Sequence, residues 1–213
     1  VGEQGMKDAY EIAELTAQLL DCPVDNILDG STGVIGCRLN MPLVRSGIRT
    51  AVASLSPDGG HDAMEAIMTT DLVPKEIAVE LEIQDEVVRI GAMAKGSGMI
   101  HPNMATMIGI ITTDANISRS LLDKALRETV MHTFNRVSVD GDTSVCDMVV
   151  ILANGQAENA GIVREGMEYE KFKNALNHVC THLARMIARD GEGATKLIEI
   201  NVQGALSAED AHK

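Results

Sequence analysis

The sequence predicts a layered α/β fold of the α+β type. Segments with apolar residues at helical spacing intermix with segments that alternate apolar and polar residues. Two alternating segments, residues 77–83 and 87–94, lie close enough to form a hairpin, which a purely parallel sheet would not contain. No internal repeat or low-complexity segment interrupts the chain. Its 213 residues suffice to bury a good core, so residues 1–213 are expected to form a single domain.

The elements follow in chain order. Residues 6–20 put Ala9, Ile12, Ala13, Leu15 and Leu19 mostly on one face with acids opposite, as in an amphipathic helix, and Asp21 and Pro23 end it. Residues 27–36 read as an apolar strand running into a loop rich in Gly, Ser and Thr. A helix is expected over residues 42–53, a turn at Pro57-Asp58-Gly59-Gly60, and a short helix over residues 61–68 that ends at Thr69-Thr70-Asp71. The hairpin of residues 77–83 and 87–94 turns at Gln84-Asp85-Glu86, and Lys95-Gly96-Ser97-Gly98 then interrupts the sheet. Residues 107–111 form a buried strand. Ser118 is a good N-cap for a helix reaching His132. A polar loop at residues 138–144 leads to an apolar strand at 145–153. A long amphipathic helix spans 169–188, a loop 190–195, and an alternating strand 196–202. Ser207 and Asp210 have capping-box spacing, so a helix is expected to begin there and the polypeptide to continue past Lys213.

Composition excludes several partners. The formal charge of −13 and pI near 4.8 disfavour nucleic acid and anionic membrane, whose binding relies on Lys and Arg. No stretch has the length and hydrophobicity of a membrane span, and no signal peptide opens the chain. Aromatic residues make up only 2%, so the core is expected to be aliphatic, with Met93, Met99, Met104 and Met107 as filling. Cys22, Cys37, Cys146 and Cys180 form no CxxC pair and read as buried or semi-buried free thiols of a reducing cytoplasm.

Four loops at the ends of predicted elements carry small polar residues: Ser31-Thr32-Gly33, Thr69-Thr70-Asp71, Lys95-Gly96-Ser97-Gly98 and Asp190-Gly191-Glu192-Gly193. Each alone is weak: a Thr-Gly pair is usually a turn, DGEG alone is a helix C-cap, and KGSG lacks the order of a phosphate loop. The run from Lys95 to Met107, KGSGMIHPNMATM, is highly specific. It resembles the signature of the ornithine acetyltransferase (glutamate N-acetyltransferase) family. Gly2-Glu3-Gln4-Gly5, Ser31 to Gly36, Thr69-Thr70-Asp71, Ser138 to Ser144 and Arg189 to Lys196 resemble family segments in family order, so the likeness covers essentially the whole chain.

The resemblance implies a self-processing enzyme with a layered αββα-like sandwich. It implies cleavage between Ala105 and Thr106, leaving residues 1–105 as the end of one chain and 106–213 as the start of another. Thr106 becomes the N-terminal nucleophile, and its freed α-amine, which ordinarily titrates near pH ~8, takes the hydroxyl proton. Thr32 and Gly33 match the oxyanion hole; Thr70 (or Thr69, the register being open), Lys95 and Glu192 match substrate-binding positions. The implied reaction passes acetyl from N-acetylornithine to glutamate through an acetyl-Thr106 ester in the cyclic arginine pathway. It needs no metal or organic cofactor, and acetyl-CoA is left open as a further donor. The two cleaved chains are expected to stay together and to assemble further. Family members are longer at both ends, so the chain reads as a central fragment.

Three other readings compete. One is a fragment acting only as an assembly or binding module. Another is a related Thr-nucleophile amidohydrolase or aminopeptidase, which would keep Thr106 but lose the Lys95 and Glu192 pairing. The last is a metal site at His178, Cys180 and His182, disfavoured because Val179 stands where the zinc-protease pattern needs Glu. His101 as general base is redundant beside the Thr106 amine, and Asp140 and Asp142 read as a turn.

Overall fold

A computed structural model describes residues 2–101, 107–207 and 210–211. The elements are α1 (Gly2–Leu20), α2 (Met41–Ala53), α3 (Gly60–Ile67), β1 (Glu76–Ile83), β2 (Glu86–Lys95), β3 (Ile108–Thr113), α4 (Arg119–His132), β4 (Met148–Ala153) and α5 (Met167–Arg189). The mixed α/β class is as expected. Every expected helix with described residues forms, as does the hairpin. Ser207 and Asp210 make the expected capping contacts, the Asp210 N–H donating to Ser207 Oγ at 3.0 Å. Ser118 stands at the N-cap of α4, but its side chain makes no capping bond.

The four strands form one sheet in the order β1-β2-β3-β4. β1–β2 and β2–β3 are antiparallel, and β3–β4 is parallel, with α4 in the crossover. Gln84 and Asp85 turn the hairpin, with φ of 53° and 70°. Two successive left-handed residues match the right-handed twist of the flanking strands.

The register sorts side chains onto two faces. Ile77, Ala92, Ile111 and Ile151 share one row of the inner face. Against this face packs α5, which buries Tyr169, Phe172, Leu176, Val179, Cys180, Leu183 and Ile187 at helical spacing. Leu121, Ala125 and Val130 of α4 complete the core. The expectation of a wholly aliphatic core is corrected: Phe134, Tyr169 and Phe172 all lie in it. Scarce aromatics bury the most apolar area per side chain and therefore go inside.

Two predicted strands do not form. Residues 27–36 and 196–202 belong to no ladder among the described residues. Ile35, Ile198 and Ile200 are 84%, 80% and 83% exposed. Alternation fixes which side chains share a face, but a strand also needs a partner for its N–H and C=O groups, and neither segment has one here. The predicted strand at 145–153 is shortened to Met148–Ala153, the six residues that pair with β3.

Candidate active site

The sheet register gathers three strand ends. Lys95, last in β2, pairs with Ile108, first in β3, which pairs with Met148, first in β4. Ala105 and Thr106 lie outside the described residues, as do Pro102, Asn103 and Met104, so their expected roles rest on the sequence. Their described neighbours are firmly held. Asp140 accepts from the N–H groups of Met99 and Ile100 at 2.6 and 3.0 Å, and Asp147 accepts from the Met107 N–H at 2.9 Å.

Three loops meet at this end of the sheet because one buried ion cluster holds them. The Lys75 ammonium lies 2.6 Å from Asp71 and 2.6 Å from Asp190, with side-chain exposures of 0%, 0% and 5%. The same carboxylates accept backbone bonds. Asp71 takes the N–H groups of Gly96 (2.7 Å) and Thr69 (3.1 Å), and Asp190 takes that of Leu72 (3.0 Å). Burial raises the Asp71 pKa, but bonds from Gly96, Lys75 and Thr69 outweigh it, and the carboxyl titrates below its ordinary value.

That scaffold assembles the expected substrate-binding residues. Thr70 Oγ1 lies 2.6 Å from Ser97 Oγ. The Lys95 ammonium donates to Thr69 Oγ1 at 3.4 Å, so both threonines belong to the cluster. The Glu192 N–H donates to the Ser97 carbonyl at 2.6 Å. The Glu192 carboxylate occupies the space that a Cβ at Gly98 would need, which gives this glycine its place. Thr69, Thr70 and Glu192 are exposed, whereas Lys95 is 3% exposed. Among the described residues, no carboxylate lies within 4.0 Å of the Lys95 ammonium. Among the described residues two lysines are buried: Lys75 is neutralised on two sides, and Lys95 has no carboxylate within 4.0 Å, with Asp147 acting on it only from farther away. An unpaired buried ammonium is costly and suits an anionic ligand.

Thr32 and Gly33 are exposed on the loop after residue 27, in a cavity of about 500 Å³ that Asp8 of α1 and Val145 and Cys146 also line. Gly30 packs against the Met148 side chain, which brings this loop to the start of β4. Thr70, Lys95 and Glu192 are not among the lining residues of that cavity. The structure therefore unites Thr69, Thr70, Lys95 and Glu192 directly, and brings Thr32 and Gly33 to the same sheet end through Met148.

Sequence reasoning missed Lys75 and Asp147, and gave Ser97 no role of its own within the Lys95-Gly96-Ser97-Gly98 loop. Lys75 has no motif around it, and its burial follows only from the fold. Asp147 stands outside the polar loop, in what read as an apolar strand. Desolvation raises its pKa, opposed by the Met107 N–H and the charge of Lys95. Asp140 and Asp142 do turn the chain, with the Asp142 N–H bonded to Asp140 Oδ1 at 3.1 Å, but Asp140 also anchors Met99 and Ile100. His101 is exposed, 3.4 Å from Ser138 Oγ. His178 is exposed and His182 is the next turn along α5, whereas Cys180 points into the core, so the three share no face. Burial pushes the Cys180 thiol up to about 12. The cysteines are all free, but the expected burial is corrected for two of them: Cys37 and Cys146, on loops, are exposed. No helix among the described residues is long and apolar enough to cross a membrane.

Known proteins resemble this chain along its length. The model of the ArgJ family matches residues 1–213. The arginine biosynthesis bifunctional protein ArgJ of Symbiobacterium thermophilum is 57% identical over 212 residues, covering 100% of this chain and 53% of that protein. Its namesake from Synechococcus sp. is 53% identical over 210 residues, 99% of this chain and 50% of the relative. The crystal structure of the bifunctional protein argJ from Bacillus halodurans is 52% identical and covers 43% of each chain, with a TM-score of 0.41. The chain thus spans about half the length of the curated relatives it matches. With the family model matched along its whole length and the site segments in order, the chain belongs to the ArgJ family.

Proposed function

We propose that the protein containing this chain transfers acetyl from N-acetylornithine to glutamate, with Thr106 as nucleophile after self-cleavage. The observation that carries the proposal is the buried Lys95, with no carboxylate within 4.0 Å among the described residues, beside Thr69, Thr70 and the exposed Glu192. An α-carboxylate on Lys95 and a side-chain ammonium near Glu192 describe an amino acid with a cationic side chain, held at both ends.

Processing begins with the Thr106 hydroxyl oxygen attacking the Ala105 carbonyl carbon. The Ala105–Thr106 C–N bond breaks, and the hydroxyl proton passes to the departing nitrogen. The resulting ester is opened by water, leaving the Ala105 carboxylate and a free Thr106 amine and hydroxyl. In transfer, the amine takes the hydroxyl proton while the oxygen attacks the acetamide carbonyl, then returns that proton to the departing ornithine nitrogen. The glutamate amine attacks the acetyl-Thr106 ester, and its proton returns to the Thr106 oxygen. Thr32 and Gly33 supply donors for the oxyanion, each worth roughly 3 kcal/mol in such sites. We extend to this protein the second activity that the word bifunctional indicates in its relatives, with acetyl-CoA as a further donor.

Thr106→Ala in the full-length protein tests the proposal. Cleavage, read as intact mass, and acetyl transfer are both expected to vanish; normal processing of this variant would remove Thr106 from the role.

A further inference from the structure

We propose that Asp147 is a positioning residue for the nucleophile: its carboxylate anchors the backbone N–H of Met107, the residue that follows Thr106 in the sequence. The inference rests on the reading of Thr106 as nucleophile.

Met107 is held in three ways. Its N–H donates to Asp147 Oδ1 at 2.9 Å. Its carbonyl accepts from the Met148 N–H at 3.1 Å. Its side chain is 4% exposed and shares a small apolar pocket with Ile100, Phe134, Val137 and Ile187. The residues before the cleavage site are anchored from the same loop. Asp140 binds the N–H groups of Met99 and Ile100, and the Ile100 carbonyl accepts from the Val139 N–H at 2.8 Å. Met99 has a left-handed φ of 57°, a conformation that costs a non-glycine residue energy and needs such a hold. The loop of residues 138–147 therefore grips both sides of residues 102–106 with two carboxylates.

The two grips differ in what they do after cleavage. Asp140 then holds Met99 and Ile100, near the end of the first chain. Asp147 still holds the second chain at the first peptide bond beyond its new N-terminus. A planar peptide group joins the Met107 N–H to the residue before it, so anchoring that N–H restrains the start of the second chain. A terminal residue has no preceding peptide bond to restrain it, and this is its one covalent tether.

The test uses Asp147→Asn, Asp147→Ala and the volume-matched Asp147→Leu in the full-length protein, beside Thr106→Ala. Asn retains an acceptor oxygen of the same reach; Ala and Leu do not. Cleavage rate, kcat and KM for N-acetylornithine are measured on folded material. Ala and Leu are expected to slow processing and lower kcat by about 10²-fold, the size of effect that about 1 Å of misplacement produces, with KM within about threefold of wild type. Asn is expected to recover both rates to within about fivefold. Wild-type rates in Ala or Leu would overturn the proposal, as would an Asn variant no better than Ala; either of Ala and Leu suffices if the other does not fold. Cleavage and transfer persisting in Thr106→Ala would instead refute the nucleophile reading on which the proposal stands.

Discussion

Replacing Lys75 with Met should unfold the site from within. The ammonium lies 2.6 Å from each of two carboxylates, all three side chains at most 5% exposed. Removing the cation leaves two anions close together with no water to solvate them. Breaking a buried ion pair costs about 3–5 kcal/mol, and for a chain of this size each kcal/mol lowers Tm by roughly 2–4 °C, so a loss of about 6–20 °C is expected. The pH dependence separates this cause from simple misfit. In the wild type, the Asp71 pKa is lowered, so its carboxylate adds stability above its unfolded value near pH ~4, and that stability is lost as pH falls through the folded pKa. In Lys75→Met the carboxyl lacks its cation, its folded pKa rises above the unfolded value, and the penalty is fully present at neutral pH. Protonation relieves it as pH falls towards about 4, so the gap between variant and wild type should narrow with acid. Thermal unfolding of both proteins at about pH 7 and about pH 5 reads this directly. A variant within about 2 °C of wild type at neutral pH, or a gap that widens in acid, would refute the reasoning. KM for N-acetylornithine should rise as well, because Asp71 and Asp190 orient the loops bearing Thr69, Lys95 and Glu192.

Two further substitutions test the placement of charge and of oxyanion donors. Glu192→Gln should raise KM for N-acetylornithine about tenfold, the scale of one charge-assisted hydrogen bond in a partly exposed site, while KM for an acetylated analogue with an uncharged side chain and the Tm barely move. An unchanged ratio between the two substrates would remove Glu192 from the site. Thr32→Ala should lower kcat about 10²-fold with KM little altered, since an oxyanion donor acts on the transition state. A raised KM at unchanged kcat would make Thr32 a substrate contact instead.

Amphipathic spacing made the helices legible: the residues of α5 that enter the core recur at intervals of three and four. Alternation likewise exposed the hairpin of β1 and β2. The Lys95 to Met107 run and its companion segments pointed to the family, because such motifs are strings of residues whose types and order the chemistry requires. Periodicity is local, so it could not say that residues 196–202 would lack a strand partner here, nor that β4 begins only at Met148. Burial of individual charges was equally out of reach. The motif marked Lys95 but not how it is surrounded, and only the packing of residues 71, 75 and 190 encloses Lys75 between carboxylates while Lys95 has none within 4.0 Å among the described residues. Asp147 became visible only when parallel pairing of β3 and β4 set it beside Met107, 40 residues earlier. Local pattern and residue chemistry thus determined the elements and the reactive groups by sequence alone. Partners, solvation and the anchoring of backbone groups are long-range properties, and they were decided where distant segments met.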